Sequence, residues 1–170
     1  MNRFVLISHS SERFPPMPEF AEHQRQAYHN LDLLSFIASQ SSSKKFADWY
    51  VTVSFYSALH FVEAIFQHHK TFAILPNGIQ VNVSHSSEAK DFYNRGAQKV
   101  FDHVGSDHSA RRRLMHDNSQ TFAIVIPVYN TLFEKCQVAR YYCNDPESHD
   151  YIEAEELITD MKKWFESVKS

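Results

Sequence analysis

The stretch Phe46-Ala47-Asp48-Trp49-Tyr50-Val51-Thr52-Val53-Ser54-Phe55-Tyr56-Ser57-Ala58-Leu59-His60-Phe61-Val62-Glu63-Ala64-Ile65-Phe66 constrains this chain more than any other. Apolar side chains occupy nearly every side of a helix drawn through it, so such a helix has no face to give to water and belongs at the centre of a bundle. The spacing predicts a helix over residues 45–70, in which Ser54, Ser57 and Ala58 let a neighbouring helix approach closely. Fourteen Phe and eight Tyr against three Gly favour long helices over a turn-rich β architecture. A chain of 170 residues suits one compact domain. The expectation is an all-α, up-and-down bundle of about five or six helices spanning residues 1–170.

The flanking segments fit that centre. Residues 1–18, with Phe4-Val5-Leu6-Ile7 and Pro15-Pro16-Met17-Pro18, suit an extended arm. From Glu19 the positions Phe20, Ala27, Leu31, Leu34 and Ala38 mark a first helix, stopped by Gln40-Ser41-Ser42-Ser43. Asn77-Gly78 between two short apolar or alternating runs predicts a small hairpin or hairpin-like loop over residues 71–84. Ser86 is placed to cap a third helix with the stripe Ala89, Phe92, Tyr93, Ala97, Val100 and Val104, which Gly105 ends. A further helix begins at Ser106 or Asp107. Residues 119–126 have strand-like propensity, but Phe122, Val125, Tyr129, Leu132, Cys136 and Ala139 or Arg140 continue one helical stripe that Pro127 kinks or opens. A last helix starts at the box Asp150-x-x-Glu153.

Charge and cysteine usage narrow the function classes. A formal net charge of −3 opposes wholesale wrapping of nucleic acid and leaves room only for a focal basic patch. Cys136 and Cys143 lie about two turns apart on one expected helix, too far to bridge, and read as free thiols of a reducing compartment. No run approaches the ~20 apolar residues of a membrane span, so a cytoplasmic protein without membrane contact is expected.

Ser109-Ala110-Arg111-Arg112-Arg113-Leu114-Met115-His116-Asp117-Asn118 concentrates three guanidinium groups and an imidazole in about two turns. On a helix Arg112 and Arg113 share the face of His116, four and three residues later, whereas Arg111 projects about 140° away. His108 stands three before Arg111 and four before Arg112. An imidazole moves protons near neutral pH and a guanidinium fork neutralises charge growing on phosphate oxygens, which together suit phosphoryl transfer on RNA without a metal. The competing structural reading is a solvated basic face, with His116 favoured by the helix macrodipole.

Three pieces of the chain resemble the HEPN superfamily, the small helical-bundle domains of prokaryotic toxin–antitoxin and phage-defence systems. The helix from Trp49 to Ala64 is similar to the family's aromatic and small-residue core helix. The run from Arg111 to His116 matches its Arg-x4-6-His ribonuclease motif. Tyr129-x-x-Leu132 followed by Ala139-Arg140-Tyr141 resembles the packing pattern of a later helix. Where many members carry a polar residue after the motif arginine, this chain has Arg112.

The resemblance implies a metal-independent endoribonuclease in which a 2′-hydroxyl attacks the adjacent phosphate and leaves a cyclic phosphate end. His116 is then the general acid or base and Arg111 stabilises the phosphorane. Arg112, Arg113 and His108 bind the RNA or nucleotide, and His60 and Tyr129 lend buried support. His108–Arg111 remains open as the functional pair in place of Arg111–His116. A homodimer, an antitoxin or other partner protein and no cofactor complete the implication.

Two other classes stand beside it. One is a non-catalytic HEPN-like module that binds a nucleotide, nucleic acid or partner. The other is a metal-binding helical bundle, prompted by His60, His68, His69, His103, His108 and His116. These histidines show neither His-x-x-x-His nor Glu-x-x-His spacing on the expected helices, so no metal ligand is assigned, and His60-x-x-Glu63 is the nearest approach.

Overall fold

The computed structural model describes residues 17–40, 43–96, 105–141 and 148–170. Within them the protein is an all-α bundle with one small antiparallel hairpin: α1 (Phe20–Ser39), α2 (Ala47–His68), β1 (Phe72–Ile74), β2 (Gln80–Asn82), α3 (Ser86–Gly96), α4 (Asp107–Asp117), α5 (Ser119–Phe122), α6 (Ile126–Tyr141) and α7 (Ser148–Val168). A single 3₁₀ turn, Ser43–Phe46, leads into α2. Of the expected N-terminal arm only Met17 and Pro18 fall among these residues, and the expected stripe positions Ala97, Val100 and Val104 lie outside them, as does Cys143.

Helix α2 is the centre, packed by α1, α6 and α7. Val51, Phe55, Ala58, Phe61, Val62, Ala64, Ile65 and Phe66 are all buried, and each large side chain among them gains about 1.5–3 kcal/mol by leaving water. Close approach by α1 rests on Ala27 and Ser57, where the serine hydroxyl donates to the Ala27 carbonyl at 2.9 Å. One turn further along α2, Phe165 of α7 packs against Phe61 with ring centroids 4.6 Å apart. Short α5 wedges Phe122 between Phe66, 5.0 Å away, and Trp164, 5.4 Å away.

Local chemistry sets the ends. The Glu22 carboxylate accepts from the Glu19 backbone N–H at 2.9 Å and closes the start of α1. Residues 119–126 are neither a strand nor a continuous helix: α5 ends at Phe122, a turn follows, and α6 begins at Ile126 with Pro127 in its first turn, where a missing N–H costs nothing. The buried stripe of α1 is His23, Ala27, Asn30, Leu34 and Ile37, displaced from the expected one. Two polar residues can face inward because each finds a partner, His60 for His23 and Gln26 for Asn30. Phe36 is 63% and Trp49 61% exposed, beside Leu33 and Phe46 in an apolar groove of about 250 Å³. No helix among the described residues is long and apolar enough to cross a membrane.

The hairpin pairs Phe72 with Asn82, Ala73 with Val81 and Ile74 with Gln80, and Gly78 takes φ +81° in its turn, a conformation open to glycine. It is pinned by the C-terminal end of α4. Asn118 accepts from the Phe72 N–H at 3.1 Å and donates to the Phe72 carbonyl at 2.9 Å, while Asp117 accepts from the Ile74 N–H at 2.8 Å. Replacing Asn118 by Ala should leave those backbone groups unpaired at a cost of about 1–3 kcal/mol, and amide exchange at Phe72 should accelerate more than at α2 sites. Unchanged exchange at Phe72 would refute the pinning.

Candidate functional site

The Arg111-Arg112-Arg113 run does not form one basic face. Helix α4 is capped by Ser106, whose hydroxyl accepts from the Ser109 N–H at 3.2 Å, and its buried positions are Ala110, Arg111, Leu114 and Met115. Arg111 therefore turns into the bundle and is only 5% exposed. Arg112 and His116 are exposed on another face. Arg113 lies between, its guanidinium 4.1 Å from the Tyr93 ring and donating to the Ile74 carbonyl at 3.3 Å.

Arg111 meets Glu63 of α2. Its Nε and Nη2 both approach Glu63 Oε1, at 2.7 and 2.6 Å. Nη2 also donates to Ser86 Oγ at 3.0 Å, and Nη1 to Tyr129 OH at 3.2 Å and His108 Nδ1 at 3.1 Å. The five N–H donors of the guanidinium are matched by five contacts. Ser86 opens α3, yet its hydroxyl donates to Glu63 Oε1 and its N–H to Oε2 at 3.2 Å. The capping at that end passes to Glu88, which accepts from the Ser84 N–H at 2.9 Å.

Electrostatics follow from this packing. Burial alone would raise the Glu63 pKa. The Arg111 charge, the neighbouring His85 ring and hydrogen bonds from Ser86 and Arg111 outweigh it and hold the carboxyl at about 2. His108 is lowered, first by burial and then by the charges of Arg111 and Arg140, so it is neutral at physiological pH. A guanidinium can only donate, so Nδ1 of His108 accepts from Arg111 and the ring proton sits on Nε2. His108 packs against Phe55 and Phe133, with ring centroids 5.5 and 5.2 Å away. Nearby on α6, exposed Arg140 donates to Tyr56 OH at 2.8 Å and lies 5.1 Å from the ring of exposed Tyr141.

A second polar cluster adjoins the first. His23 Nδ1 and His60 Nδ1 share a hydrogen bond of 2.9 Å, and His85 Nδ1 lies 3.8 Å from Glu63 Oε2. Burial, with the neighbouring His23 and against the pull of Glu63, lowers the pKa of His60 to about 4.

Of the residues singled out in the sequence, Arg111, His108 and Tyr129 are thus brought together. His60 joins the adjacent cluster, and His116, Arg112 and Arg113 are directed elsewhere. His23 and His85 were not singled out, and Ser86 and Glu63 were named only as a helix cap and in the nearest approach to a ligand pair, His60-x-x-Glu63. The signal for Glu63 was a carboxylate inside the most apolar helix, which needs a buried cation; His23 stands four residues before Ala27 on the inward stripe of α1. Nothing local marks His85. Comparison with known protein families, curated proteins and solved structures finds no match to this chain.

Removing one member of a buried ion pair strands the other, so Arg111→Met should lower the unfolding free energy by about 3–5 kcal/mol. Combining it with Glu63→Gln should restore part of that loss, because no charge remains buried. The same pair has a pH signature. Glu63 has a lower pKa folded than its ordinary value of roughly 4.3 when unfolded, so its contribution is complete above that value and is lost as pH falls toward about 2. The stability gap between wild type and Glu63→Gln, followed by urea titration at stepped pH, should narrow across that window; a gap constant to the acid limit would contradict the assignment.

Proposed function

We propose that the chain is a HEPN-like, RNA-directed protein in which the face formed by His108, Arg112 and Arg140 binds the phosphate backbone of single-stranded RNA. The observation that carries this reading is the commitment of Arg111: its donors are taken up inside the bundle, where one of them keeps the proton of His108 on Nε2 in a ring whose pKa burial and the Arg111 charge lower. An imidazole in that state is a hydrogen-bond donor suited to a phosphate oxygen, and it is not poised as a base. Exposed Arg112 and Arg140 supply charge, and Tyr141, 61% exposed, and Tyr56 supply rings on which bases stack. HEPN-like membership is supported by the all-α bundle around an aromatic central helix and by the Arg-x4-His spacing carried on α4.

A second reading, metal-independent endoribonuclease, is favoured by one further observation. Arg112 and His116 are both exposed and four residues apart on α4, hence on one face. Here His116 acts as general acid or base on the 2′-hydroxyl or the leaving oxygen. Arg112 faces the phosphorane in the place that the resemblance gives to Arg111. A homodimer would set two such faces across one groove and concentrate positive charge from an acidic chain, and an antitoxin partner would cover the same faces.

Fluorescence anisotropy with a labelled single-stranded RNA at several salt concentrations tests the binding reading. Arg112→Ser and Arg140→Ser should each weaken binding and flatten the logarithmic salt dependence by about 0.7 per lost phosphate contact. Wild-type affinity in the double variant would overturn the interface. Incubating the same RNA in chelator separates the two readings: cleavage lost in His116→Ala with binding kept supports the enzyme, and binding with no cleavage by wild type supports the module.

A further inference from the structure

Three buried side-chain atoms, His23 Nε2, Ser54 Oγ and Asn130 Oδ1, have no hydrogen-bond partner among the described residues, and His23 Nε2 is the one that faces other ligating groups. His23 is 7% exposed, its Nδ1 is taken by His60, and its Nε2 is buried with no hydrogen bond. Such a nitrogen costs about 1–3 kcal/mol if nothing ever meets it. Around it the fold assembles a donor set. His23 from α1, Glu63 from α2 and His85 from the loop before α3 each offer a ligand atom, all within 4.8 Å of one another.

We propose that His23, Glu63 and His85 bind a first-row transition-metal dication of the Zn²⁺ kind, with His60 orienting the His23 ring. Two imidazoles and a carboxylate form a donor set that Zn²⁺ takes in four-coordinate sites, with water in the fourth position. Tetrahedral coordination at about 2.0–2.1 Å places ligand atoms roughly 3.3 Å apart, so the three side chains close inward by about an ångström on binding. Glu63 has an oxygen for the purpose. Arg111 and the Ser86 hydroxyl converge on Oε1, whereas Oε2 receives only the Ser86 N–H at 3.2 Å and faces His85 at 3.8 Å. Arg111 thereby stays in place while the other oxygen turns to the metal.

The contact between His23 and His60 is the outer-shell bond that fixes a ligating imidazole and its tautomer. With Nδ1 engaged by His60, Nε2 of His23 is the nitrogen left to ligate. On the other side, Gln67 Nε2 lies 3.3 Å from His85 Nε2 and donates to the Pro18 carbonyl at 2.7 Å, which restrains the His85 ring. No side chain of the RNA-facing surface serves as a ligand, so this site and the proposed function stand or fall separately.

The test is titration of untagged, chelator-treated full chain with Co²⁺, read by visible d–d absorption, followed by displacement with Zn²⁺. One Co²⁺ per chain with the intense bands of a four-coordinate ion is expected, reversed by equimolar Zn²⁺, together with a rise in melting temperature on adding Zn²⁺. His85→Gln should weaken binding at least ~100-fold and His60→Phe roughly 10–100-fold, whereas exposed His116→Gln should bind as wild type does. His85 lies outside the helices, so its variant serves where His23→Gln fails to fold. Absence of a saturable band in the wild type, or equal affinity in His85→Gln, would overturn the site.

Discussion

The ion pair between Glu63 and Arg111 is the constraint on which the rest of the architecture depends. Desolvating two charges costs several kcal/mol per ion, and attraction alone seldom offsets it. Here the offset comes from complete hydrogen bonding: Arg111 from α4 reaches Glu63 on α2, Ser86 on α3 and Tyr129 on α6, as well as His108 on its own helix. Four helices must therefore keep their mutual rotation to within hydrogen-bond tolerance. The apolar core supplies most of the free energy of folding but accepts many small rotations; the buried polar net accepts few. It selects one packing among those the Phe-rich surface would otherwise allow.

That net also sorts the three consecutive arginines. Helical periodicity carries Arg111 inward with Ala110, Leu114 and Met115, leaves Arg112 outside, and sets Arg113 over the Tyr93 ring. Tyr93 in turn donates to Asp117 at 2.5 Å. One residue is a brace, one is an exposed cation, and one fastens the hairpin side of the helix. Charge runs are read in sequence as units; on a helix they are three different residues.

How far the sequence could be read follows from which signals were local. An all-round apolar helix at α2, an Asn-Gly hairpin and a helix start at Ser106 or Asp107 are stated by neighbouring residues and were legible before the fold, whereas Pro127 was compatible with either a kink or a helix start and stands in the first turn of α6. The stripe of α1 was misplaced because His23 and Asn30 count as polar until their partners are known. At the site, Arg111 was read as projecting about 140° from His116 but not as pointing inward, although 110, 111, 114 and 115 already form a helical stripe that includes it. Partners from three other elements, Glu63, Ser86 and Tyr129, are 48, 25 and 18 residues away. Tertiary contacts over such separations leave no period in the chain to read.

The end of α4 has a consequence for how the molecule meets its neighbours. A two-stranded hairpin exposes the outer row of amides and carbonyls on each strand, and such rows recruit strands from other chains. On β1 that row is occupied by the side chains of Asn118 and Asp117, which stand in for a third strand at Phe72 and Ile74. The occupying side chains come from 46 and 43 residues further along the chain, so the edge is shut only once α4 has docked. Until then a nascent chain carries an open β edge beside a very apolar helix, and the docking of α4 is the step that removes it from the reach of aggregation.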